Sequence, residues 1–122
     1  MIVLFYVKII EIGGIELREN FLKIEVIREY IQNRKVRWTN HCLNRLSQRN
    51  IQLLDVKNAI TTGQIIEYYY DDYPYPSCLI LGYNLNNKIL HIVCGINEEF
   101  VYMITAYYPD GDKWEKDMKV RR

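Results

Sequence analysis

The chain has 122 residues, a size that fits one ordinary domain and excludes a two-domain enzyme with a separate cofactor module. Hydrophobic residues make up 49% and charged residues 25% of the sequence, which excludes disorder, a collagen-like repeat and a coiled coil. The formal net charge is +1, so the whole chain gives no electrostatic reason to expect a nucleic acid or a membrane as partner.

Residues 1–19 are expected to form an apolar N-terminal extension or strand, and residues 20–122 a single domain. Gly13-Gly14 marks a turn within the extension. The apolar run 1–12 is shorter than the roughly 20 residues of a membrane span and lacks the features of a secretory signal. An exposed apolar edge on this extension would drive self-association, so a homo-oligomer formed through it is one expectation.

The first half of the domain shows helical periodicity. Three amphipathic helices are predicted, over 20–33, 41–49 and 53–62. Asn20 and Thr39 are the expected N-caps of the first two helices, and Gly63 stops the third. A basic stretch from Arg34 to Arg37 ends the first helix.

The second half of the domain has the pattern of strands. Four strands are predicted, over 65–70, 77–83, 88–94 and 100–107, joined by short turn-rich connections and followed by a polar tail from Lys113 to Arg122. Short connections favour antiparallel neighbours. The predicted fold class is therefore α+β, with N-terminal helices packed on a four-stranded antiparallel β-meander whose outer face is partly open to solvent.

One edge of the second helix carries His41, Arg45 and Arg49, while Leu43 and Leu46 turn towards the core. Guanidinium groups bind phosphate oxygens and an imidazole transfers protons near neutral pH, so this set suits phosphodiester chemistry. The alternative is that the edge is the solvated face of an amphipathic helix. From residue 28 to 49 there are six basic side chains and one acidic side chain, enough local charge to hold a polyanion or simply to maintain solubility.

Further candidate residues lie on the predicted strands. His91 shares a strand face with apolar neighbours and is either a satisfied core residue or a catalyst, and the catalytic role requires the sheet face that the second helix covers. Strict alternation puts Val101, Met103, Thr105 and Tyr107 on one face of the last strand. Thr105 and Tyr107 then present hydroxyls near a sheet end, where a tyrosine can donate a proton, stack on a base or pack as a core aromatic.

The three cysteines Cys42, Cys78 and Cys94 are odd in number and form no C-x-x-C pair, so neither a disulfide framework nor a zinc site is predicted. No nucleotide-loop, zinc-protease or nucleophile-elbow motif is present in the sequence. The sequence therefore predicts a cytoplasmic protein without a cofactor or a metal.

Several of these residues fall in one pattern that resembles a known family. The pattern is His41-x-x-x-Arg45-x-x-x-Arg49-x-Ile51, then Asp55-Val56, Ala59-Ile60 and Gly63, then Leu90-His91-Ile92-Val93, and finally Ile104-Thr105-Ala106-Tyr107-Tyr108-Pro109-Asp110 with Trp114 beyond. It is similar to the domain-of-unknown-function family number forty-two fifty-eight, over roughly residues 28 to 122.

The resemblance implies a fold of the barnase/EndoU/colicin/RelE-like ribonuclease group and the role of a toxin encoded beside a small antitoxin, often a zinc-ribbon protein. It implies site residues at His41, Arg45, Arg49, His91, Thr105 and Tyr107. The expected function is a metal-independent endoribonuclease that acts on single-stranded or ribosome-bound RNA. The competing hypotheses are a non-catalytic protein-interaction module of the same fold and, more weakly, a DNA-binding regulator.

Overall fold

The computed structural model describes residues 22–122, so the predictions for the extension 1–19 and for the cap at Asn20 lie outside the described residues. The elements in chain order are α1 (Ile24–Gln32), β1 (Val36–Trp38), α2 (Asn40–Gln48), α3 (Leu53–Thr62), β2 (Gln64–Tyr69), β3 (Ser77–Tyr83), β4 (Ile89–Ile96) and β5 (Val101–Tyr107). Helices precede most strands, and the predicted α+β class is confirmed.

The helices follow the predicted pattern closely. The first helix begins later than predicted, because Lys23 has extended backbone angles and serves as the N-cap of α1. The predicted cap of α2 is confirmed, since the Thr39 hydroxyl accepts a hydrogen bond from the backbone N–H of Cys42 at 3.0 Å. Gln52 and Asp55 form a capping box at the start of α3, and Gly63 ends that helix.

In the described part of the chain the sheet has five strands in the order β1-β5-β4-β3-β2, so the prediction of four antiparallel strands was incomplete. The additional strand, β1, pairs in parallel with β5, with Val36 opposite Val101 and Trp38 opposite Met103. This strand has only three residues and lies in the basic stretch after α1, which is too short to show alternation. The other three pairings are antiparallel as predicted.

A bulge in β5 changes which residues share a face. The register with β4 shifts between Val93 and Cys94, and one extra residue of β5 is accommodated there. Val101, Met103 and Ala106 are consequently buried in the core, whereas Thr105 and Tyr107 lie on the opposite face. The prediction that Val101, Met103, Thr105 and Tyr107 share a face was therefore wrong.

The three helices within residues 22–122 pack on one face of the sheet, here called the inner face. The core between them is formed by Val26, Ile27, Cys42, Leu46, Val56, Ala59, Ile60, Cys78, Ile80, Leu90, Ile92, Cys94 and neighbouring apolar residues. Leu43 is 40% exposed, in contrast to the prediction, and Cys42 takes its place in the core. At Gly82 a Cβ atom would lie 1.8 Å from the carbonyl oxygen of Ala59, so α3 packs directly against the backbone of β3.

The C-terminal segment, residues 110–122, folds back over the outer face of the sheet. Trp114 is only 3% exposed, and the Arg121 guanidinium lies 4.6 Å from the centre of its ring. Arg121 also forms a bidentate ion pair with Glu67 on β2, with its Nε 3.0 Å from Oε2. The segment predicted to be a polar tail thus covers part of the sheet.

Candidate functional site

Arg49 links the end of α2 to strand β5. It follows the last helical residue, and its Nη1 donates hydrogen bonds to Thr105 Oγ1 at 3.1 Å and to the carbonyl oxygen of Ala106 at 2.7 Å. The adjacent strand β1 ends opposite Met103, so the edge of β5 beyond that residue has no strand partner within residues 22–122. The guanidinium thus satisfies one backbone carbonyl, that of Ala106, at the edge of β5 where β1 no longer pairs.

The charge of Arg49 has only neutral partners in the described part of the chain. Ion pairs within residues 22–122 join Arg121 to Glu67 and Arg122 to Glu115, and none of them includes Arg49. A half-buried guanidinium without a carboxylate favours a bound anion, because its remaining N–H groups are charged hydrogen-bond donors. Arg49 is therefore a candidate anion-binding group at this edge of the sheet.

His91 is fully buried on the outer face, 0% exposed, beneath the C-terminal segment. Its Nε2 lies 2.7 Å from the carbonyl oxygen of Met118, which only accepts hydrogen bonds, so Nε2 carries the proton. Nδ1 is then the acceptor for the Tyr107 hydroxyl, at 3.4 Å. Burial lowers the pKa of His91, although the hydrogen bond to Met118 and the charge of Glu67 oppose this effect.

These contacts separate His91 from the helices. His91 does not lie on the sheet face that α2 covers, which was the requirement for its catalytic role, and both of its ring nitrogens have protein partners. Its neighbour Tyr107 is half-buried, and burial raises the pKa of the Tyr107 phenol while the charges of Arg121 and Arg49 oppose this increase. The imidazole thus orients the Tyr107 hydroxyl on the outer face of β5, the face that also carries Thr105.

His41 and Arg45 are exposed on the same edge of α2 as Arg49. Arg45 donates a hydrogen bond to Gln48 at 3.4 Å, and within residues 22–122 no hydrogen bond joins His41 or Arg45 to β4 or β5. Of the six predicted site residues, the structure joins Arg49 to Thr105 and His91 to Tyr107 by hydrogen bonds, and Thr105 and Tyr107 share the outer face of β5. His41 and Arg45 lie further along α2, without a hydrogen bond to either pair in residues 22–122.

A cleft with a volume of about 760 Å³ opens beside Arg49, at the end of the sheet. We call it the Arg49 cleft, and it is lined by Arg49, Asn50, Gln52, Asp55, Asn84, Leu85, Asn86, Lys88, Ile89, Tyr108, Pro109 and Met118. Sequence reasoning identified Arg49 but missed the other polar lining residues. The sequence pattern predicts residues 84–87 only as a connection between two strands and Tyr108 only as the end of the last strand, and neither pattern indicates that these residues line a cleft.

Two buried polar side chains fix the wall of the Arg49 cleft. Asp55 is 8% exposed and accepts hydrogen bonds from the backbone N–H groups of Gln52 and Leu85, both at 3.0 Å. Asn84 is 4% exposed, and its Oδ1 accepts from the N–H groups of Asn86 and Lys88 at 2.9 and 2.8 Å. The β3–β4 turn is therefore held in one conformation against the start of α3.

Neither a metal centre nor a membrane span emerges from the described residues. No group of three or more His, Cys, Asp or Glu side chains in residues 22–122 could hold a metal ion. None of the helices in that part of the chain has the length and apolar character needed to cross a membrane.

A five-stranded mixed sheet with three helices on one face, and a polar site centred on an arginine at the sheet edge, defines a small α+β domain. The family model Domain of unknown function (DUF4258) matches residues 38–108, more than half of the chain, and the protein belongs to this family. The matched region contains all six predicted site residues, and the resemblance seen in the sequence is confirmed. No curated protein and no solved structure matches the chain.

Proposed function

We propose that this protein is a metal-independent endoribonuclease that cleaves single-stranded or ribosome-bound RNA and is the toxin of a toxin–antitoxin pair. The observation that carries the proposal is Arg49, a cation without a carboxylate partner in residues 22–122, held 3.1 Å from Thr105 at an open sheet edge. A phosphodiester bound there would receive charged hydrogen bonds from Arg49. The cognate antitoxin, a zinc-ribbon protein in the proposal, would block this edge.

In the proposed reaction the ribose 2′-hydroxyl attacks the adjacent phosphorus, and the bond to the 5′-oxygen of the next nucleotide breaks. The products are a 2′,3′-cyclic phosphate and a free 5′-hydroxyl. His41 accepts the proton of the 2′-hydroxyl, because it is the only exposed imidazole of the two histidines in the chain. Tyr107 donates a proton to the leaving oxygen once its hydroxyl turns from His91 Nδ1, 3.4 Å away, towards the substrate, and the raised pKa of its phenol keeps that proton in place before the reaction.

The edge of α2 supports binding of an extended strand. Arg45 and His41 precede Arg49 by about 6 and 12 Å of helix rise, so a single strand lying along this edge meets the guanidinium groups of Arg49 and Arg45 and then the imidazole of His41. In the proposal Arg45 binds a flanking phosphate.

The proposal is tested with the purified chain and a labelled single-stranded RNA in the presence of EDTA. Arg49→Met is expected to reduce the cleavage rate by about 10²- to 10³-fold, the range found when one preorganised donor to a reaction centre is removed. Arg45→Ala should weaken binding for all sequences and reduce the salt dependence by about one charge. Lys57→Ala removes an exposed cation on α3 and is the matched control.

His41→Ala should lose activity, because no other exposed imidazole in residues 22–122 can accept the proton of the 2′-hydroxyl. The endoribonuclease proposal is wrong if the induced protein does not arrest growth and the purified protein cleaves no RNA. It is also wrong if Arg49→Met cleaves as fast as the wild type.

One observation favours the alternative of a non-catalytic interaction module. Strand β2 is the last strand of the sheet within residues 22–122, and an unpaired edge of this kind can accept a strand from a partner protein. In that case a pull-down would show partner binding unaffected by loss of Arg45 and Arg49 but abolished by deletion of residues 1–14.

A further inference from the structure

The Arg49 cleft contains a tyrosine whose hydroxyl proton is directed by a buried network. Because Asn84 Oδ1 accepts two backbone hydrogen bonds, its Nδ2 is fixed as the donor, and it donates to the Tyr108 oxygen at 3.1 Å. The Tyr108 hydroxyl is thus an acceptor towards Asn84, and its own proton is left for another acceptor. The Tyr108 side chain is 39% exposed, so the ring also offers a surface to a ligand.

The buried support of Tyr108 extends to α3. Asn58 Nδ2 donates to the carbonyl oxygens of Tyr83 at 2.8 Å and Asn84 at 3.3 Å, which ties the β3–β4 turn to the helix. With the two hydrogen bonds of Asp55, this network fixes the aromatic wall of the cleft before any ligand arrives. A preformed wall reduces the entropy that a ligand would otherwise lose by ordering it.

The charges that line the cleft favour an anion. Arg49 and Lys88 both line it, and the Lys88 side chain is exposed. A ligand in the cleft therefore meets two cations and an aromatic ring. Asp55, the one carboxylate of the lining, already accepts backbone hydrogen bonds with both oxygens.

We propose that the Arg49 cleft binds one nucleotide unit, with its phosphate between Arg49 and Lys88 and its base stacked on Tyr108. The Tyr108 hydroxyl donates a hydrogen bond to the same ligand. The exposed amides of Asn50 and Asn86 lie on the lining, where they can bond to the edge of a base. The inference rests on the proposed function in one respect: on an RNA chain this unit would be the nucleotide next to the cleaved phosphate.

The experiment titrates the full chain with the four ribonucleoside 5′-monophosphates, the corresponding nucleosides and inorganic phosphate, by calorimetry or by NMR shifts. At least one nucleotide is expected to bind more tightly than its nucleoside and than phosphate. Tyr108→Leu should weaken nucleotide binding about tenfold, since stacking on one aromatic ring contributes on that scale. Tyr108→Phe keeps the ring and should lose only the smaller contribution of the hydroxyl, while Lys88→Ala should reduce the salt dependence of binding.

Tyr73→Leu is the matched control, because Tyr73 is 95% exposed and does not line the cleft. The melting temperature of each variant distinguishes a lost ligand contact from a lost fold. Equal affinity for phosphate and nucleotides, unchanged in Tyr108→Leu, would reduce the cleft to a simple anion site and overturn the proposal. Nucleotide binding unaffected by both Tyr108→Leu and Lys88→Ala would place the ligand elsewhere and also overturn it.

Mononucleotide binding does not require cleavage, so the two proposals can fail separately. If nucleotides bind at Tyr108 but no RNA is cleaved, the cleft assignment stands and the endoribonuclease proposal fails. If RNA is cleaved but substitutions at Tyr108 and Lys88 leave nucleotide binding unchanged, the endoribonuclease proposal stands and the cleft assignment fails.

Discussion

A double-mutant cycle on Arg49 and Thr105 tests the contact on which the candidate site depends. Arg49→Met removes both hydrogen bonds to β5 while preserving part of the aliphatic stem, and Thr105→Val removes the hydroxyl that accepts one of them. A hydrogen bond contributes about 0.5–1.5 kcal/mol, or about 1.5–3 kcal/mol when it is buried and one group is charged, and because Arg49 is half-buried we take about 1 kcal/mol for each of its two bonds. We expect the free energy of unfolding to fall by about 2 kcal/mol for Arg49→Met and by about 1 kcal/mol for Thr105→Val.

Because the two substitutions remove a shared bond, the double variant should lose about 1 kcal/mol less than the sum of the single losses. The assay is urea unfolding followed by tryptophan fluorescence at fixed pH and ionic strength. Arg45→Met combined with Thr105→Val is the control cycle, since Arg45 does not contact β5 and its effect should be additive. Additivity within about 0.3 kcal/mol in the Arg49 cycle would show that the guanidinium does not hold the edge of β5.

Two further predictions concern the sheet. Burial lowers the pKa of His91, so as the pH falls below 6.5 the unfolded chain binds the proton first. Stability should therefore decrease with falling pH from 6.5 down to the lowered pKa and then level off. His91→Gln keeps a donor towards Met118 without titrating, so urea midpoints measured across this window should lose that slope, and an identical slope in both proteins would contradict the assignment. Gly82→Ala should destabilise the fold by about 3 kcal/mol or more in the same assay, because the new Cβ would lie 1.8 Å from the Ala59 oxygen. Gly95→Ala, whose nearest neighbour would be 3.5 Å away, should change stability by less than about 1 kcal/mol, and equal losses would contradict the close packing of α3 on β3.

The local patterns in the sequence predict most of the secondary structure. Thr39 caps α2 and Gly63 ends α3 as predicted, because capping and chain termination depend on residues a few positions apart. Strand β1 was missed because three residues show no periodicity, and its pairing is with residues far along the chain. The β5 bulge was missed for a related reason, since a bulge is a property of two paired strands and one strand alone does not display it.

The candidate site was predictable only in part. Helical spacing predicts that His41, Arg45 and Arg49 share one edge of α2. It does not predict that Arg49 alone reaches β5, because that contact depends on where strand β1 ends. The surroundings of His91 depend on the C-terminal segment, whose folding over the sheet has no local signal apart from Trp114. The hydrogen bond from Asn84 to Tyr108 joins residues 24 positions apart in the sequence, so no local pattern predicts it.

The bond between Arg49 and Thr105 joins positions separated by 56 residues. Closing a loop of that length costs entropy that the contacts of the assembled sheet must recover. A fragment that stops before β5 lacks Thr105 and Ala106, and α2 loses the strand against which it packs, so this helix of nine residues keeps little stability of its own. Proteolytic clipping or premature termination before β5 should therefore remove both this contact and the helix end that presents Arg49.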